Sequence, residues 1–359
     1  MYWLPAILIL PYIYILLKIY RSLLKIRTFF CVTNPQTFVS VVVACRNEEK
    51  SLPSLLNSIA LQDYPQDLFE VLIVNDNSSD KTAEVAANFN WSGNIRSLDN
   101  KAEGKKQALR TGILAARGDL IITTDADCTA GRKWIRTIAG YYDKYNPDLI
   151  ICPVQIKADR GFFGKFVELE FMSLQGITAG TAVSDKGTMC NGANLAFTRE
   201  AYLTHSDDLH DEINSGDDIF LLHSLKREPD SEISWLESPD AMITTESPLT
   251  IRSFLKQRSR WLSKGKDYKD CYTIVLGISA FLAILLQTVF LLAWIIRPFL
   301  IWVLLSVIVL KSIPDLLILL NTTERYGKKE LMRWFLPSQL IYPFYVLTVL
   351  FYSLIFRKN

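Results

Sequence analysis

Two hydrophobic patterns alternate between residues 38 and 127. Short apolar runs rich in β-branched residues are typical of buried strands, and the segments between them have the spacing of amphipathic helices. The predicted strands are 38–45, 69–76, 94–99 and 119–127, and the predicted helices lie near 49–61, 80–89 and 104–116. Continuous apolar strands that alternate with helices indicate a mostly parallel sheet covered on both faces. The predicted fold class is therefore α/β.

Long apolar segments occupy both ends of the chain. The first is 1–20, and the C-terminal candidates are 272–295, 298–321 and 336–356. The three C-terminal candidates have the roughly 20 predominantly apolar residues that a membrane-spanning helix needs. The segment 298–321 is interrupted by Lys311, Pro314 and Asp315, so a broken, kinked or interfacial helix stays open there.

These segments predict three regions: an N-terminal anchor (1–20), a cytoplasmic domain (38–265) and a membrane region of about three helices (272–356). Basic residues after the first segment place 21–271 in the cytoplasm by the positive-inside rule, and the chain is expected in a bacterial inner membrane. The basic stretch 325–333 agrees if the two segments before it form a hairpin. The final Arg-Lys-Asn then falls outside the cell, so an interfacial C-terminal segment also stays open.

Composition narrows the classes of function. The 359 residues are 50% hydrophobic with a net charge of +2, and the dispersed basic residues form no stripe for nucleic acid. Six cysteines include no C-x-x-C pair, which argues against a disulfide framework and a zinc site. The G-x-G-x-x-G, P-loop and G-x-S-x-G patterns are absent. This disfavours dehydrogenase, P-loop and α/β-hydrolase chemistry.

Polar residues follow three of the predicted strands, at 45–49, 75–77 and 125–127. If these strands are parallel, the polar clusters meet at one edge of the sheet, where ligands bind in such folds. Asp125 and Asp127 are two residues apart, so in a strand they point to the same face and repel each other. A hard cation such as Mg²⁺ or Mn²⁺, completed by substrate phosphates, would relieve that repulsion. An ordinary acidic turn is the alternative.

Seven motifs extend this pattern over most of residues 38–265. In order they are VSVVVACRNEE (39–49), VLIVNDNSSDKT (71–82), EGKKQALRTGI (103–113), TTDADC (123–128), CNGANLAFTREAY (190–202), SGDDIFL (215–221) and KQRSRW (256–261). Together they resemble the membrane-bound family 2 glycosyltransferases, which include cellulose-, chitin- and hyaluronan-synthase-like enzymes. The resemblance implies a GT-A nucleotide-sugar-binding domain.

The resemblance assigns residues to the donor site. The positions matched to the wall around the base are Ala44, Arg46, Glu48 and Asp76. Asn75 stands where many members have another Asp. The site then has one negative charge fewer beside the uracil or ribose, which affects the choice of donor. The expected donor is UDP-linked. Lys105 matches a basic residue near the donor, with a solvated helix-start lysine as the alternative. Asp125 and Asp127 match the metal-binding D-x-D, which implies Mg²⁺ or Mn²⁺ at the diphosphate.

The resemblance also assigns the acceptor side. Asp218 matches the catalytic aspartate, which takes the proton of the acceptor hydroxyl. Asp217 stands where the family commonly has Glu and is assigned to substrate binding. The alternative is that Asp217 only interacts favourably with the helix dipole. The Q-x-x-R-W pattern falls on Gln257, Arg260 and Trp261, with Arg suited to diphosphate oxygens and Trp to a sugar ring. The same stretch also has the composition of a membrane-surface helix.

The leading hypothesis is an inverting, metal-dependent glycosyltransferase at the cytoplasmic membrane face. Its partners are a nucleotide-sugar donor, a saccharide or lipid-linked acceptor and membrane lipids, and no nucleic acid is expected. Two alternatives are kept. One is transfer to polyprenyl phosphate, an anionic acceptor that needs no base. The other is a non-catalytic transporter or scaffold with a degenerate nucleotide-binding domain.

Overall fold

The computed structural model of the chain describes residues 7–158, 161–210 and 216–355. The described chain divides into two compact units. The α/β unit comprises Ile26–Ile156 and Met189–Glu246, and the helical unit comprises the described parts of Met1–Lys25, Lys157–Thr188 and Ser247–Asn359. The predicted region boundaries stay predictions. The start of the proposed anchor (1–6) and the C-terminal end (356–359) lie outside the described residues.

The strands of the described chain form two sheets. The main sheet has seven strands in the order β3-β2-β1-β4-β8-β6-β9, and the smaller has the order β5-β10-β7. The strands are β1 (Val39–Cys45), β2 (Phe69–Asn75), β3 (Asn94–Asp99), β4 (Leu120–Asp125), β5 (Cys128–Ala130), β6 (Leu149–Ile151), β7 (Val154–Lys157), β8 (Leu195–Thr198), β9 (Ile233–Trp235) and β10 (Ile243–Glu246).

Helices cover the sheet in one unit and build the other. The α-helices of the described residues are α1 (Leu10–Leu23), α2 (Leu52–Ala60), α3 (Thr82–Ala87), α4 (Lys105–Ala115), α5 (Trp134–Tyr145), α6 (Phe162–Asp185), α7 (Arg199–Thr204), α8 (Asp217–Arg227), α9 (Ile251–Ser263), α10 (Cys271–Ile296), α11 (Ile301–Arg325) and α12 (Phe335–Ile355). Of these, α2–α5, α7 and α8 belong to the α/β unit.

The four predicted strands are confirmed as β1 to β4. Strand β1 pairs in parallel with β2 and β4, and β2 pairs in parallel with β3. The sheet turns mixed at β8, which is antiparallel to both β4 and β6. Val41, Val43 and Ile73 are fully buried, as expected for parallel strands that carry helices on both faces. The prediction of a mostly parallel α/β sheet is confirmed.

Helix α4 packs unusually close to the sheet. A Cβ atom at Gly112 would lie 2.5 Å from a methyl carbon of Val42, so only glycine allows this approach. The first turn of α4 lies at the carboxyl ends of β2 and β4, where the Gly104 N–H donates to Asp76 and Lys105 pairs with Asp125.

The helical unit carries the most apolar helices. Among the described residues, three segments are long and apolar enough to cross a membrane: Cys271–Ile296, Pro298–Arg325 and Lys329–Ile355. Helix α11 continues through Pro314 as one helix, so the break considered at Lys311, Pro314 and Asp315 is not observed. Lys311 is buried and its Nζ lies 2.7 Å from Asp315 Oδ2. This pairing lets both charges sit inside an apolar helix.

Helix α1 packs on α6 and α11 within the helical unit. It presents Ile15, Leu16 and Ile19 to its neighbours as buried residues. A Cβ atom at Gly180 of α6 would come 2.5 Å from a methyl carbon of Ile19, which is the close helix approach that small residues permit. The described part of the predicted anchor is therefore integrated into the helical unit.

Candidate active site

The carboxyl ends of three parallel strands bring the predicted donor residues together. In the sheet register Ala44 lies beside both Val74 and Asp125, and Cys45 lies beside Asn75. The three polar clusters of the sequence therefore meet at one edge, as predicted from parallel pairing. The Asn75 side chain donates a hydrogen bond to Asp99 Oδ1 at 3.1 Å.

The loop after β1 carries Arg46 and Glu48. Arg46 is half-exposed, and its guanidinium lies 3.1 Å from Glu103 Oε1 and 3.9 Å from Asp76 Oδ2. The backbone N–H of Glu48 donates to Thr82 Oγ1 at 2.7 Å. The loop is thereby fastened to the start of α3, and Arg46 bridges two acidic residues at the edge of the sheet.

Asp76 has a structural task in addition to its predicted one. Its side chain is almost fully buried, and Oδ1 accepts hydrogen bonds from Asn100 Nδ2 at 2.8 Å and from the backbone N–H of Gly104 at 2.9 Å. Gly104 has a φ of 105°, a conformation that favours glycine. Asp76 thus fixes the loop that leads into α4.

The D-x-D motif lies where β4 ends. Asp125 is the last residue of the strand, whereas Asp127 lies in the turn before β5. The predicted strand 119–127 therefore extends past the observed strand end, and the strand alternation used in the prediction does not apply to Asp127, because Ala126 already belongs to the turn. The two aspartates are nevertheless electrostatically coupled.

Charge around the D-x-D is unbalanced. Partial desolvation of the exposed Asp127 carboxylate, together with the negative charges of Asp125 and Glu48, raises the pKa of Asp127 to about 6. Lys105 Nζ donates to Asp125 Oδ1 in an ion pair. Partial desolvation would lower the pKa of Lys105, but the charges of Asp125 and Asp217 outweigh it and raise that pKa above its ordinary value. The Lys105 ammonium thus pairs with Asp125 and also interacts electrostatically with Asp217.

Asp217 and Asp218 begin α8. Gly216 precedes them with a φ of 98°, and Ser215, the first residue of the S-G-D-D motif, lies outside the described residues. Asp218 Oδ2 accepts from the backbone N–H of Gly192 at 3.0 Å, and Oδ1 accepts from that of Ile219 at 2.8 Å. Two backbone donors therefore fix the carboxylate.

Gly192 connects Asp218 to the D-x-D strand. Its carbonyl accepts from Thr123 Oγ1 of β4 at 3.0 Å, two residues before Asp125. Asp217 and Asp218 also act electrostatically on Lys105. The structure therefore brings Lys105, Asp125 and the acidic pair of α8 into one charged group.

Gln257, Arg260 and Trp261 lie on α9, in the helical unit. Arg260 is exposed, and Gln257 Oε1 accepts from an Nη of Arg258 at 2.9 Å. The Arg258 guanidinium lies 4.1 Å from the centre of the Trp261 ring. The unassigned Arg258 therefore orders both Gln257 and Trp261.

A buried ion pair holds Arg258 itself. Its guanidinium donates two hydrogen bonds to Glu170 of α6, at 3.0 and 2.5 Å. Tyr345 of α12 donates to the same carboxylate at 3.1 Å. The helix that carries the Q-x-x-R-W pattern is thus tied to α6 and α12 within the helical unit.

The donor set fits a cation that the substrate completes. Within the described ranges, no group of three or more His, Cys, Asp and Glu side chains is arranged to hold a metal ion by itself. Mg²⁺ commonly takes only one or two carboxylates and leaves its other positions to phosphate oxygens and water. Asp125 and Asp127, with the raised pKa of the latter, match that requirement.

Comparison with known proteins agrees with this architecture. Residues 40–205 match the sequence model of glycosyl transferase family 2. The chain contains a glycosyl transferase family 2 domain. The mannosyltransferase PcManGT from Pyrobaculum calidifontis, solved with GDP-Man and Mn²⁺, superposes with a TM-score of 0.61 at 17% identity and 100% coverage of both chains. The predicted GT-A fold is confirmed.

Two curated relatives extend the comparison of the glycosyl transferase family 2 domain. The poly-beta-1,6-N-acetyl-D-glucosamine synthase of Staphylococcus epidermidis is 26% identical over 242 residues, covering 64% of this chain and 55% of the synthase. The undecaprenyl-phosphate 4-deoxy-4-formamido-L-arabinose transferase of Edwardsiella ictaluri is 40% identical over 94 residues, covering 25% of this chain and 29% of the transferase. The chain thus spans about half or less of the curated relatives it matches.

Sequence reasoning missed several residues around the family 2 domain's site. Gly192 belongs to the quoted C-N-G-A-N motif, but its sequence gives no sign that its N–H binds Asp218. Asn194 of the same motif is fully buried and accepts from Trp134 Nε1 at 2.9 Å. Its amide nitrogen donates to the carbonyls of Pro153 and Ala241 at 2.7 and 2.8 Å. Asn194 therefore joins three segments below the site.

Proposed function

We propose that this chain is an inverting glycosyltransferase that moves a sugar from a nucleotide-sugar donor to a hydroxyl of a saccharide or lipid-linked acceptor. The observation that carries the proposal is the charged group at the carboxyl edge of the sheet, where Lys105 pairs with Asp125 and the charges of Asp217 and Asp218 also act on Lys105. Perturbed charges that converge at a strand edge are typical of a catalytic site.

The donor end of the site is proposed to be formed by the residues after β1, β2 and β4. Arg46 and Asp76 lie on the base side, and Lys105 lies at the diphosphate side. Asp125 and Asp127 would hold Mg²⁺ or Mn²⁺, which would neutralise the leaving diphosphate when bound. The presence of Mn²⁺ and GDP-Man in the structure of the fold neighbour is a reason to test both metals and several nucleotides.

The chemical step is assigned to Asp218. The acceptor hydroxyl attacks the anomeric carbon, and its proton passes to the Asp218 carboxylate as the new C–O bond forms. The bond between the anomeric carbon and the phosphate oxygen breaks, and its electron pair leaves with the nucleoside diphosphate. A single displacement inverts the configuration. Backbone N–H groups of Gly192 and Ile219 orient the carboxylate, and each oxygen has a further lone pair for the proton.

The proposed location is a membrane with the α/β unit in the cytoplasm, because nucleotide-sugars are cytoplasmic. The three long apolar helices support membrane insertion. The proposed contacts of Gln257, Arg260 and Trp261 with donor or acceptor rest on the Q-x-x-R-W match.

The test is release of nucleoside diphosphate by the purified chain in lipid nanodiscs, supplied with single nucleotide-sugars and membrane extract. We expect release with at least one sugar, dependence on Mg²⁺ or Mn²⁺, and loss in excess chelator. Asp218→Asn serves as the inactive control. No release with any nucleotide-sugar would contradict the proposal and favour a transporter or scaffold.

A second candidate is transfer to polyprenyl phosphate, favoured by the 40% identity to the undecaprenyl-phosphate transferase. A phosphate acceptor is already an anion and needs no general base. If Asp218→Asn transfers to polyprenyl phosphate at the parent rate, this second function is correct. A loss of transfer in that variant supports the hydroxyl acceptor.

A further inference from the structure

Lys106 is a buried lysine next to Lys105, and the resemblance to the family assigns it no role. Its side chain is only 4% exposed. Burying an ammonium group is costly unless hydrogen-bond acceptors replace its water. Its Nζ donates to the backbone carbonyls of Leu209 and His210, at 2.5 and 2.8 Å. The cost of burial is therefore met by backbone acceptors far away in sequence.

The ammonium group also faces the first turn of α8. Lys106 Nζ lies 5.3 Å from the centre of the Phe220 ring, which is within cation–π range. The His210 ring packs on the same ring with centroids 4.8 Å apart. Phe220 is two residues after Asp218. Lys106 thus contacts both residues 209–210 and Phe220, which lies in the helical turn that bears the proposed base.

Two neighbouring lysines of α4 face different parts of the site. Successive residues of an α-helix are rotated by about 100°, and Lys105 pairs with Asp125 while Lys106 contacts Leu209, His210 and Phe220. The first turn of α4 is itself fixed by the Gly104 N–H, which donates to the buried Asp76. One rigid helix start therefore contacts both the D-x-D strand and the base-bearing helix.

We propose that Lys106 is a positioning residue that sets the Asp218 carboxylate at its working distance from the donor held at Asp125. This rests on the proposed function and deepens it. Gly192 holds the carboxylate from one side, and Lys106 holds the turn behind it through Phe220 and His210. Lys106 acts through Asp218 and touches no reacting atom.

The first test replaces Lys106 by Met, which keeps the length of the side chain and removes the ammonium. We expect kcat to fall about 10²-fold, the effect of a misplacement of about 1 Å, with donor affinity unchanged. Lys106→Arg keeps charge and donors and should restore most of the rate. Lys144→Met, at an exposed helix lysine of the same unit, is the matched control and should behave as the parent. A parent-like rate for Lys106→Met would overturn the proposal.

A double-mutant cycle separates positioning from general stability. In the Asp218→Asn background the Lys106→Met change should cost little further rate, because the group it positions is already disabled. If the full loss persists in that background, or if donor affinity falls instead of kcat, Lys106 does not act through Asp218.

Hydrogen exchange tests, without relying on activity, whether Lys106 orders the first turn of α8. Amides in the first turn of α8 should exchange faster in Lys106→Met than in the parent or Lys144→Met. A parent without diphosphate release would refute the proposed function, and exchange would still decide whether Lys106 orders α8. Unchanged exchange would overturn the positioning role. Should Lys106→Met fail to fold, Phe220→Leu removes the ring contact, and the same exchange increase and kcat loss are expected.

Discussion

Carboxylates are treated differently in the two units of this protein. At the sheet edge, Asp125 and Asp127 are partly or largely exposed, and among the described residues Lys105 forms an ion pair with Asp125. In the helical unit, Glu170 is buried, with two hydrogen bonds from Arg258 and one from Tyr345. The first arrangement has too little positive charge, and the second is locally balanced.

The same balance recurs elsewhere in the helical unit. Glu168 pairs with Lys165 at 2.9 Å and with Lys328. A buried and satisfied ion pair fixes neighbouring helices, because removing one partner leaves an uncompensated charge. An under-neutralised cluster at a strand edge instead has capacity for a cationic ligand. The difference separates carboxylates that stabilise the fold from those that we propose to bind a metal ion together with the substrate.

The largest effect is expected for Asp127→Asn. Loss of one of two proposed metal ligands should reduce transfer to background, while the fold stays intact because the acidic pair repels itself without a cation. Diphosphate release and thermal unfolding in chelator measure the two effects. Asp240→Asn, at a partly exposed surface carboxylate, should leave both unchanged. Full transfer by Asp127→Asn, or by the parent in excess chelator, would disprove the metal role.

The next largest effect is expected for Asp218→Asn. The amide keeps the shape of the side chain but loses the basic lone pair, so the rate of transfer should fall about 10²–10⁴-fold while donor affinity stays the same. Calorimetry of nucleotide-sugar binding and diphosphate release in one preparation provide the measurement. If transfer proceeds at the parent rate, Asp217 is the first alternative base, and Asp217→Asn tests it. Loss of donor binding would place Asp218 in the nucleotide site instead.

The next effect, a loss of stability instead of activity, is expected for Glu170→Gln in the helical unit. Leaving Arg258 charged, buried and without its carboxylate should destabilise that unit by about 3–5 kcal/mol. The double variant Glu170→Leu, Arg258→Met should recover most of this loss. Denaturation in nanodiscs, followed by Trp fluorescence, measures it. Strictly additive losses in the double variant would show that the pair is not coupled.

The smallest effect, a loss of stability, is expected for Glu70→Gln. This variant tests whether a buried, hydrogen-bonded carboxylate also stabilises the α/β unit. Burial alone would raise the pKa of Glu70, but hydrogen bonds from the Arg117 N–H and the Ser40 hydroxyl, with the Arg117 charge, lower it. This stabilisation is present above the unfolded-state pKa of about 4.3 and is lost as pH falls below it.

Glu70→Gln should therefore lower the free energy of unfolding by about 1–3 kcal/mol at neutral pH. The difference in unfolding free energy between variant and parent should disappear in acid. Urea unfolding between pH 3 and 7 checks this. A gap that is constant over this pH range would show that ionisation of Glu70 contributes nothing.

The order of helices and strands around the site could be predicted from sequence because the information is local. Apolar runs ended by polar residues gave β1, β2, β3 and β4, and parallel pairing then placed their carboxyl ends together. The exact bounds of β4 could not be read in this way, since Asp-Ala-Asp suits both a strand end and a turn. The predicted strand therefore included Asp127, which lies in the turn.

Long-range partners were beyond sequence reasoning. Helix α6 has Gly and Thr residues among apolar ones and no clear polar face, so it was not predicted. Glu170 in this helix meets Arg258, 88 residues later, and Tyr345, 175 residues later. Likewise, the Gly-Lys-Lys triplet does not reveal which lysine meets Asp125. Such pairings depend on how the whole chain packs.

Asn194 bears on the chemical lifetime of the α/β unit. Hydrolysis of its amide to a carboxylate would replace a nitrogen that donates to two carbonyls by an oxygen facing them, turning attraction into repulsion. The side chain is fully buried, so the water that deamidation consumes is kept away from it. The packing that satisfies the hydrogen bonds of this amide therefore also protects it from hydrolysis.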